Sequence, residues 1–232
     1  MAAGQRVVPL PSGGMGEQET APRGRHAPPL EVRQDRQRAR LFAAASAVFA
    51  RNGFADATAE AIAREAGMSK ATFYEHFGNK EECILALFDA ATDVVVAGIA
   101  QAAIDHGGDT PQGRVGASVR AFLGVIDAFP DQAQTLLVEI IGAGPRAAER
   151  RDAALARVAD FIDEANRVDA ETGLVDRLAS PHDAFAIVGA IVELASRQLR
   201  TKDPEDIREL EPVLERLILG LVGAAPPRAS AA

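Results

Sequence analysis

TAEAIAREAGMSKATFYEHFGNK, residues Thr58 to Lys80, is punctuated as two short helices meeting at a tight turn. Thr58 is an N-cap ahead of a helix with Ile62, Ala63 and Ala66 at helical spacing, and Gly67 supplies the left-handed stop. Met68 fills the apolar position of the turn. The Ser69 hydroxyl caps a second helix running to about Phe77. At about 100° per residue, Phe73 and Phe77 fall together on the core side. Ala71 and Glu75 then point away, flanked by Lys70, Thr72 and Tyr74. A small residue at Ala71 lets the backbone approach base edges, while Lys70 and Thr72 can hydrogen-bond to bases or phosphates near the helix start. Gly78 breaks this helix and Asn79 caps the next. Lys80 stands in that helix's first turn, where amides and a cation converge on one phosphate. Glu75 either accepts from a cytosine amino group or is tolerated at an electrostatic cost.

Working outward, a helix is predicted from about Val32 to Asn52, burying Leu41, Ala45, Val48 and Phe49 and ending at Gly53. Its first half is basic, with Arg33, Arg36, Arg38 and Arg40. Phe54 packs back under the reading helices, giving a three-helix domain over residues 31–78. Residues 1–30 have no hydrophobic period and read as a disordered tail, whose Arg6, Arg23 and Arg25 are either solvated or touch DNA. A short tail is expected over 225–232. From Asn79 a helix is predicted to His106, about 40 Å long at 1.5 Å per residue, enough to leave the first domain and enter a second, 79–224. Further helices are expected at Pro111–Phe129, Asp131–Ile141, Arg146 to about Val168, Pro181 to about Arg200 and Pro204–Val222. The fold class is all-α: alanine is abundant, and no run of alternating β-branched residues argues for sheet.

The net charge of −8 is unevenly spread. Residues 1–80 hold 11 Lys/Arg against 8 Asp/Glu, a balance of +3, whereas residues 81–232 hold 14 against 25, a balance of −11. A basic N-terminal part can meet phosphate while the acidic remainder discourages nonspecific wrapping. The single cysteine, Cys83, excludes an internal disulfide and a cysteine-cluster metal site. The four histidines form no HxxxH pair and no nucleophile arrangement, so an enzyme is disfavoured and neither cofactor nor metal is expected. No apolar run of about 18 residues and no signal-peptide layout is read, so a soluble, cytoplasmic chain without a membrane partner is expected.

The stretch IAREAGMSKATFYEHFGNKEE, with the preceding FARNGFADAT, resembles the TetR family of bacterial one-component regulators over about Arg36 to Leu87. The resemblance implies that Tyr74 and Lys80 clamp phosphates and that Lys70, Ala71, Thr72, Glu75 and His76 face DNA. Thr58 and Ser69 complete the DNA-facing set at the two helix starts. Ala59 and Ala61 depart from the family's usual Thr and acid, leaving the first helix without a capping box. The resemblance further implies a homodimer on a near-palindromic double-stranded operator.

The later helices carry two more expectations. Phe185, Val188, Ile191 and Val192 in one, with Leu210, Leu214, Leu217 and Leu221 in the last, are too apolar all round for one core, so a four-helix dimer interface is expected. A pocket for an apolar inducer is expected among residues 80–180. Its predicted lining is Val95, Ile99, Phe122, Ile126, Leu136, Ile140 and Phe161, with Gln134 and Glu139 orienting a polar group. Each of these also reads as ordinary core. A purely dimerising or partner-binding second domain remains the alternative, and only a pocket separates the two.

Overall fold

The computed structural model describes residues 29–223 except 107 and 109, and among the described residues all regular structure is helical. The two predicted tails, with Arg6, Arg23 and Arg25, lie outside the described residues. The helices are α1 (Leu30–Asp56), α2 (Ala59–Glu65), α3 (Lys70–His76), α4 (Lys80–His106), α5 (Pro111–Ala128), α6 (Pro130–Leu137), α7 (Pro145–Glu171), α8 (Pro181–Thr201) and α9 (Glu211–Leu221). The all-α expectation holds, and most boundaries fall where caps and breakers put them. Gly53 takes φ 75°, so α1 stops there and closes with one separate turn to Asp56. Thr58 Oγ1 accepts from the Ala61 amide at 3.1 Å, Ser69 Oγ from that of Thr72 at 3.0 Å, and Asn79 Oδ1 from that of Glu82 at 2.8 Å.

Two predicted helices are shorter than expected. Residues 131–141 divide into α6 and a 3-10 turn, Glu139–Gly142. The helix expected from Pro204 starts only at Glu211: Lys202 leaves α8 in the left-handed conformation, and Asp206 with Glu209 caps a separate 3-10 turn, Ile207–Leu210.

The predicted boundary at residue 78 is not a packing boundary. Leu41, Val48, Phe49, Ile62, Phe73 and Phe77 share one core with Cys83, Ile84 and Phe88 of α4, with Ile140 and with Ala147 and Ala154 of α7. The reading helices are thus bolted to the second half through α4 and the start of α7. Two further clusters fill the second half, one around α5, α8 and α9 (Leu123, Leu199, Leu214), the other around α7 and α8 (Ile187, Val188, Val222).

An 18-residue window of α4 is long and apolar enough to cross a membrane by length and composition, contrary to the sequence expectation. Its interruptions, Asp89 and Asp93, have partners within the fold. Asp89 pairs with Arg150 and Asp93 with Arg157 at 3.3 Å, and with Glu81–Arg146 at 3.5 Å they run α4 and α7 parallel and in register. Such exposed pairs add little stability, but they fix which residues of the two helices lie at the same level.

Candidate nucleic-acid interface and ligand cavity

Phe73 and Phe77 are buried, as the periodicity of α3 requires, and their rings pack 5.6 Å apart. The opposite side of α3 is open: Lys70, Ala71, Tyr74 and Glu75 are exposed and Thr72 and His76 partly so. The Lys70 ammonium lies 4.0 Å from Glu60, a loose pair that leaves it free to turn outward. The Tyr74 ring meets Phe73 edge-on, leaving the residue 49% exposed. Thr72 shares its hydroxyl with Ser69 Oγ at 3.0 Å, so the Thr58 and Ser69 oxygens both serve as caps. His76 Nε2 lies 3.4 Å from Gln37 Oε1 on α1.

Lys80 is placed differently from the prediction. Its ammonium donates to the carbonyls of Phe54, Ala55 and Ala57 at 2.8, 2.7 and 3.0 Å, and lies 4.7 Å from the centre of the Phe54 ring. An ammonium has three N–H donors, and all are committed. Lys80 staples the link between α1 and α2 and has no donor left for a phosphate. The basic start of α1 divides similarly. Arg40 donates to the Ala66 carbonyl at 2.6 Å, capping the end of α2, and Arg38 lies over the rings of Phe42 and Phe77. Arg33 and Arg36 stay exposed with no partner among the described residues.

Beyond the reading helices, a cavity of about 330 Å³ is lined by α4, α5, α6, α7, α8 and α9. Six predicted residues line it: Val95, Ile99, Phe122, Ile126, Leu136 and Phe161. Three do not. Ile140 is fully buried in the core shared with the reading helices. Glu139 turns toward that domain, its Oε2 accepting from the Phe54 amide at 3.0 Å and its Oε1 from Gln134 Nε2 at 3.2 Å. The 3-10 turn after α6 rotates these side chains off the cavity face, which a continuous helix to Ile141 would not have done.

The wall is overwhelmingly apolar, and its polar members were all missed from the sequence: Thr92, Ser118, Gln132, Arg151, Asn166 and an ion pair between Arg114 and Asp169. They are ordinary polar residues at helical spacing, with no local signal separating a lining position from a solvated one. Asn166 is already used, donating to the Asp176 carbonyl at 3.0 Å and accepting from the Leu178 amide at 2.9 Å. α6 touches both regions. Gln132, Ala133, Leu136 and Leu137 line the cavity, while the buried Thr135 hydroxyl donates to the Ser46 carbonyl of α1 at 3.2 Å.

The expected dimer residues are split. Val188, Val192, Leu210 and Leu214 are buried inside the chain's own core, and Ile191 lines the cavity, so none of these five forms an outer face. Phe185 and Leu221, each 43% exposed, and the half-buried Leu217 remain outward, joined by the exposed Val213 and Ala186. Among the described residues no group of three or more His, Cys, Asp or Glu could hold a metal ion.

Residues 41–87 match the family model described as bacterial regulatory proteins, tetR family. Over 109 residues the chain is 36% identical to the HTH-type transcriptional activator FasR of Mycolicibacterium smegmatis, covering 47% of this chain and 49% of that protein. The match thus spans about half the length of this curated relative. The fatty acid degradation regulator FadR from Bacillus halodurans superposes with a TM-score of 0.71 at 20% identity, over 79% of this chain and 94% of that one. FadR from Bacillus subtilis in complex with stearoyl-CoA gives 0.70 at 17% identity, over 80% and 98%. The SmeT–triclosan complex gives 0.68 at 20% identity, over 85% and 98%. At these identities the structural likenesses establish the fold alone.

Proposed function

From the premise that this chain belongs to the tetR family of bacterial regulatory proteins, and is not an enzyme, we propose that it is a homodimeric transcription regulator of the cytoplasm. Its occupancy of a near-palindromic operator is set by an apolar small molecule held between α4 and α9. The observation that carries this reading is the pairing, in one fold, of an exposed α3 ridge with an apolar cavity sharing α4 and α6 with it. A second domain that only dimerised or bound a protein would have no need of that cavity, since empty apolar volume costs packing energy. The stearoyl chain of the stearoyl-CoA bound to one FadR and the triclosan bound to SmeT are largely apolar, in keeping with such an occupant.

In this reading Lys70, Ala71, Thr72, Tyr74, Glu75 and His76 meet the major groove and its flanking phosphates, with Arg33 and Arg36 as further phosphate contacts. Lys80 positions the link into α2 rather than touching DNA. The exposed strip of Phe185, Ala186, Val213, Leu217 and Leu221 meets its twofold copy, setting the two α3 helices about 34 Å apart, one turn of DNA. A ligand that prefers one placement of α6 shifts Glu139 and with it the Phe54 backbone. That moves α2 and α3 against α4, and both half-sites lose or gain contact together.

Repression released by the ligand is the first reading of the sign. The relation to FasR, an activator, favours a second in which the ligand-bound or ligand-free dimer recruits transcription instead. The test begins with an operator selected from random DNA, titrated by fluorescence anisotropy with and without long-chain apolar ligands, followed by in vitro transcription from that operator. We expect one selected palindrome and an affinity that ligand changes at least fivefold, the low end of a coupling of about 1–3 kcal/mol. A chain that enriches no DNA, or whose affinity ignores every ligand that it binds, would sink the proposal.

A further inference from the structure

The cavity is a channel rather than a round chamber. Its α7 wall runs from Arg151 to Asp169, about 27 Å at 1.5 Å per residue, and its α4 wall from Phe88 to Ala103, about 22 Å. A volume of about 330 Å³ drawn out over that length suits one extended chain. Sixteen saturated carbons in zigzag span about 19 Å, given bonds of about 1.5 Å.

The two ends differ in charge. At the far end Arg114 and Asp169 neutralise each other. At the near end, level with Phe88 and Thr92 because Arg150 pairs with Asp89, the half-buried Arg151 lines the wall. α7 carries five arginines. Arg146, Arg150, Arg157 and Arg167 are all ion-paired, whereas Arg151 has no hydrogen bond or ion pair among the described residues. Its neighbours Glu149 and Asp152 are exposed and leave it alone. A half-buried guanidinium without a partner forgoes hydrogen bonds that a carboxylate or phosphate oxygen would supply in a forked geometry.

Resting on the reading that this cavity is the regulatory ligand site, we infer that the ligand is a long-chain amphiphile with an anionic head, whose anion is held by Arg151 and whose chain runs toward Asp169. The head would then lie beside Phe88 and Ala154, which belong both to the cavity wall and to the core of the reading helices. The charged end is therefore bound at the boundary through which the two regions are joined. Free fatty carboxylates and the phosphates of an acyl thioester present the same chemistry to Arg151.

The test displaces a neutral phenylnaphthylamine probe, followed by its own fluorescence, with palmitate, palmitoyl-CoA and methyl palmitate, each kept below its micelle concentration. Wild type and Arg151→Gln are compared, both first shown to unfold at the same temperature. We expect Arg151→Gln to weaken the anionic ligand about ten- to a hundredfold, as for a lost charged hydrogen bond, and to leave methyl palmitate and the probe unchanged. Arg151→Lys should recover part of the loss. Retention of palmitate but not palmitoyl-CoA, or the reverse, decides which source supplies the anion, and either supports the inference. Equal binding of acid and ester by wild type, or equal weakening of both in Arg151→Gln, overturns the anion anchor while leaving the cavity as a ligand site. Failure of the probe and all three chains to bind overturns the cavity reading itself.

Discussion

The beginning and the end of α4 are made of similar residues and meet opposite surroundings. Cys83, Ile84 and Leu85 are buried in one core with Phe49, Phe73 and Ile140, and Phe88 belongs to both that core and the cavity wall, whereas Val95, Val96 and Ile99 are half-buried and line the cavity. Hydropathy along the helix does not distinguish these two stretches; what packs against them does. In the proposed function the densely packed reading half transmits displacement, and the more loosely packed half keeps volume for the ligand. Regulation needs both, because a deformable reader would absorb the movement that it should pass on.

This contrast is open to measurement. Phe73→Ala should cost about 3–5 kcal/mol in urea unfolding, since its ring is enclosed on all sides. Phe122→Ala, which only widens an existing cavity, should cost less than about 2 kcal/mol. Equal costs would mean that the cavity collapses in solution and that the contrast is false. Glu139→Ala tests the connection between the halves, because it removes the acceptor of the Phe54 amide without touching the cavity wall. Ligand binding should persist while the ligand's effect on operator affinity falls from about 1–3 kcal/mol toward zero. An unchanged effect would place the coupling elsewhere along α4 or α6.

The smallest expected effect concerns Cys83, whose thiol is pushed up to about 12 by burial, partly opposed by the Arg38 charge. Folded protein should resist thiol reagents at neutral pH and label only on unfolding. The linkage has a definite sign. Between the ordinary value of 9.0 and about 12 the unfolded chain loses a proton that the folded chain keeps, so stability falls as pH rises through that window. Below it Cys83 contributes no pH dependence. Labelling of the native state as fast as of the unfolded state would show that the start of α4 is less tightly enclosed than described.

The reading helices were legible in the sequence because their signals are local. Thr58, Ser69 and Asn79 each bond an amide three residues on, and Gly67 adopts φ 63°, so every stop and start is set within one turn of chain. The outward ridge of α3 follows from where Phe73 and Phe77 must go. Lys80 and Glu139 were misread for the opposite reason. Their partners lie 23 to 26 and 85 residues away, beyond anything that helical spacing encodes. The polar wall of the cavity was invisible in the same way, since Arg151 differs from Arg150 only in which side of α7 it occupies.

By itself, then, the sequence determined the all-α class, the helix-turn-helix and the rough order of the remaining helices, because caps, breakers and apolar period act within a few residues. Tertiary structure alone decided three further points. It joined the two predicted domains through α4, α6 and Ile140. It turned Val188, Val192, Leu210 and Leu214 inward, leaving only a narrow outer strip for a partner. It also left a channel with one unpartnered arginine at its inner end. Apolar residues state only that they leave water; which neighbour they find, and where no neighbour fills the space, depends on how the helices pack.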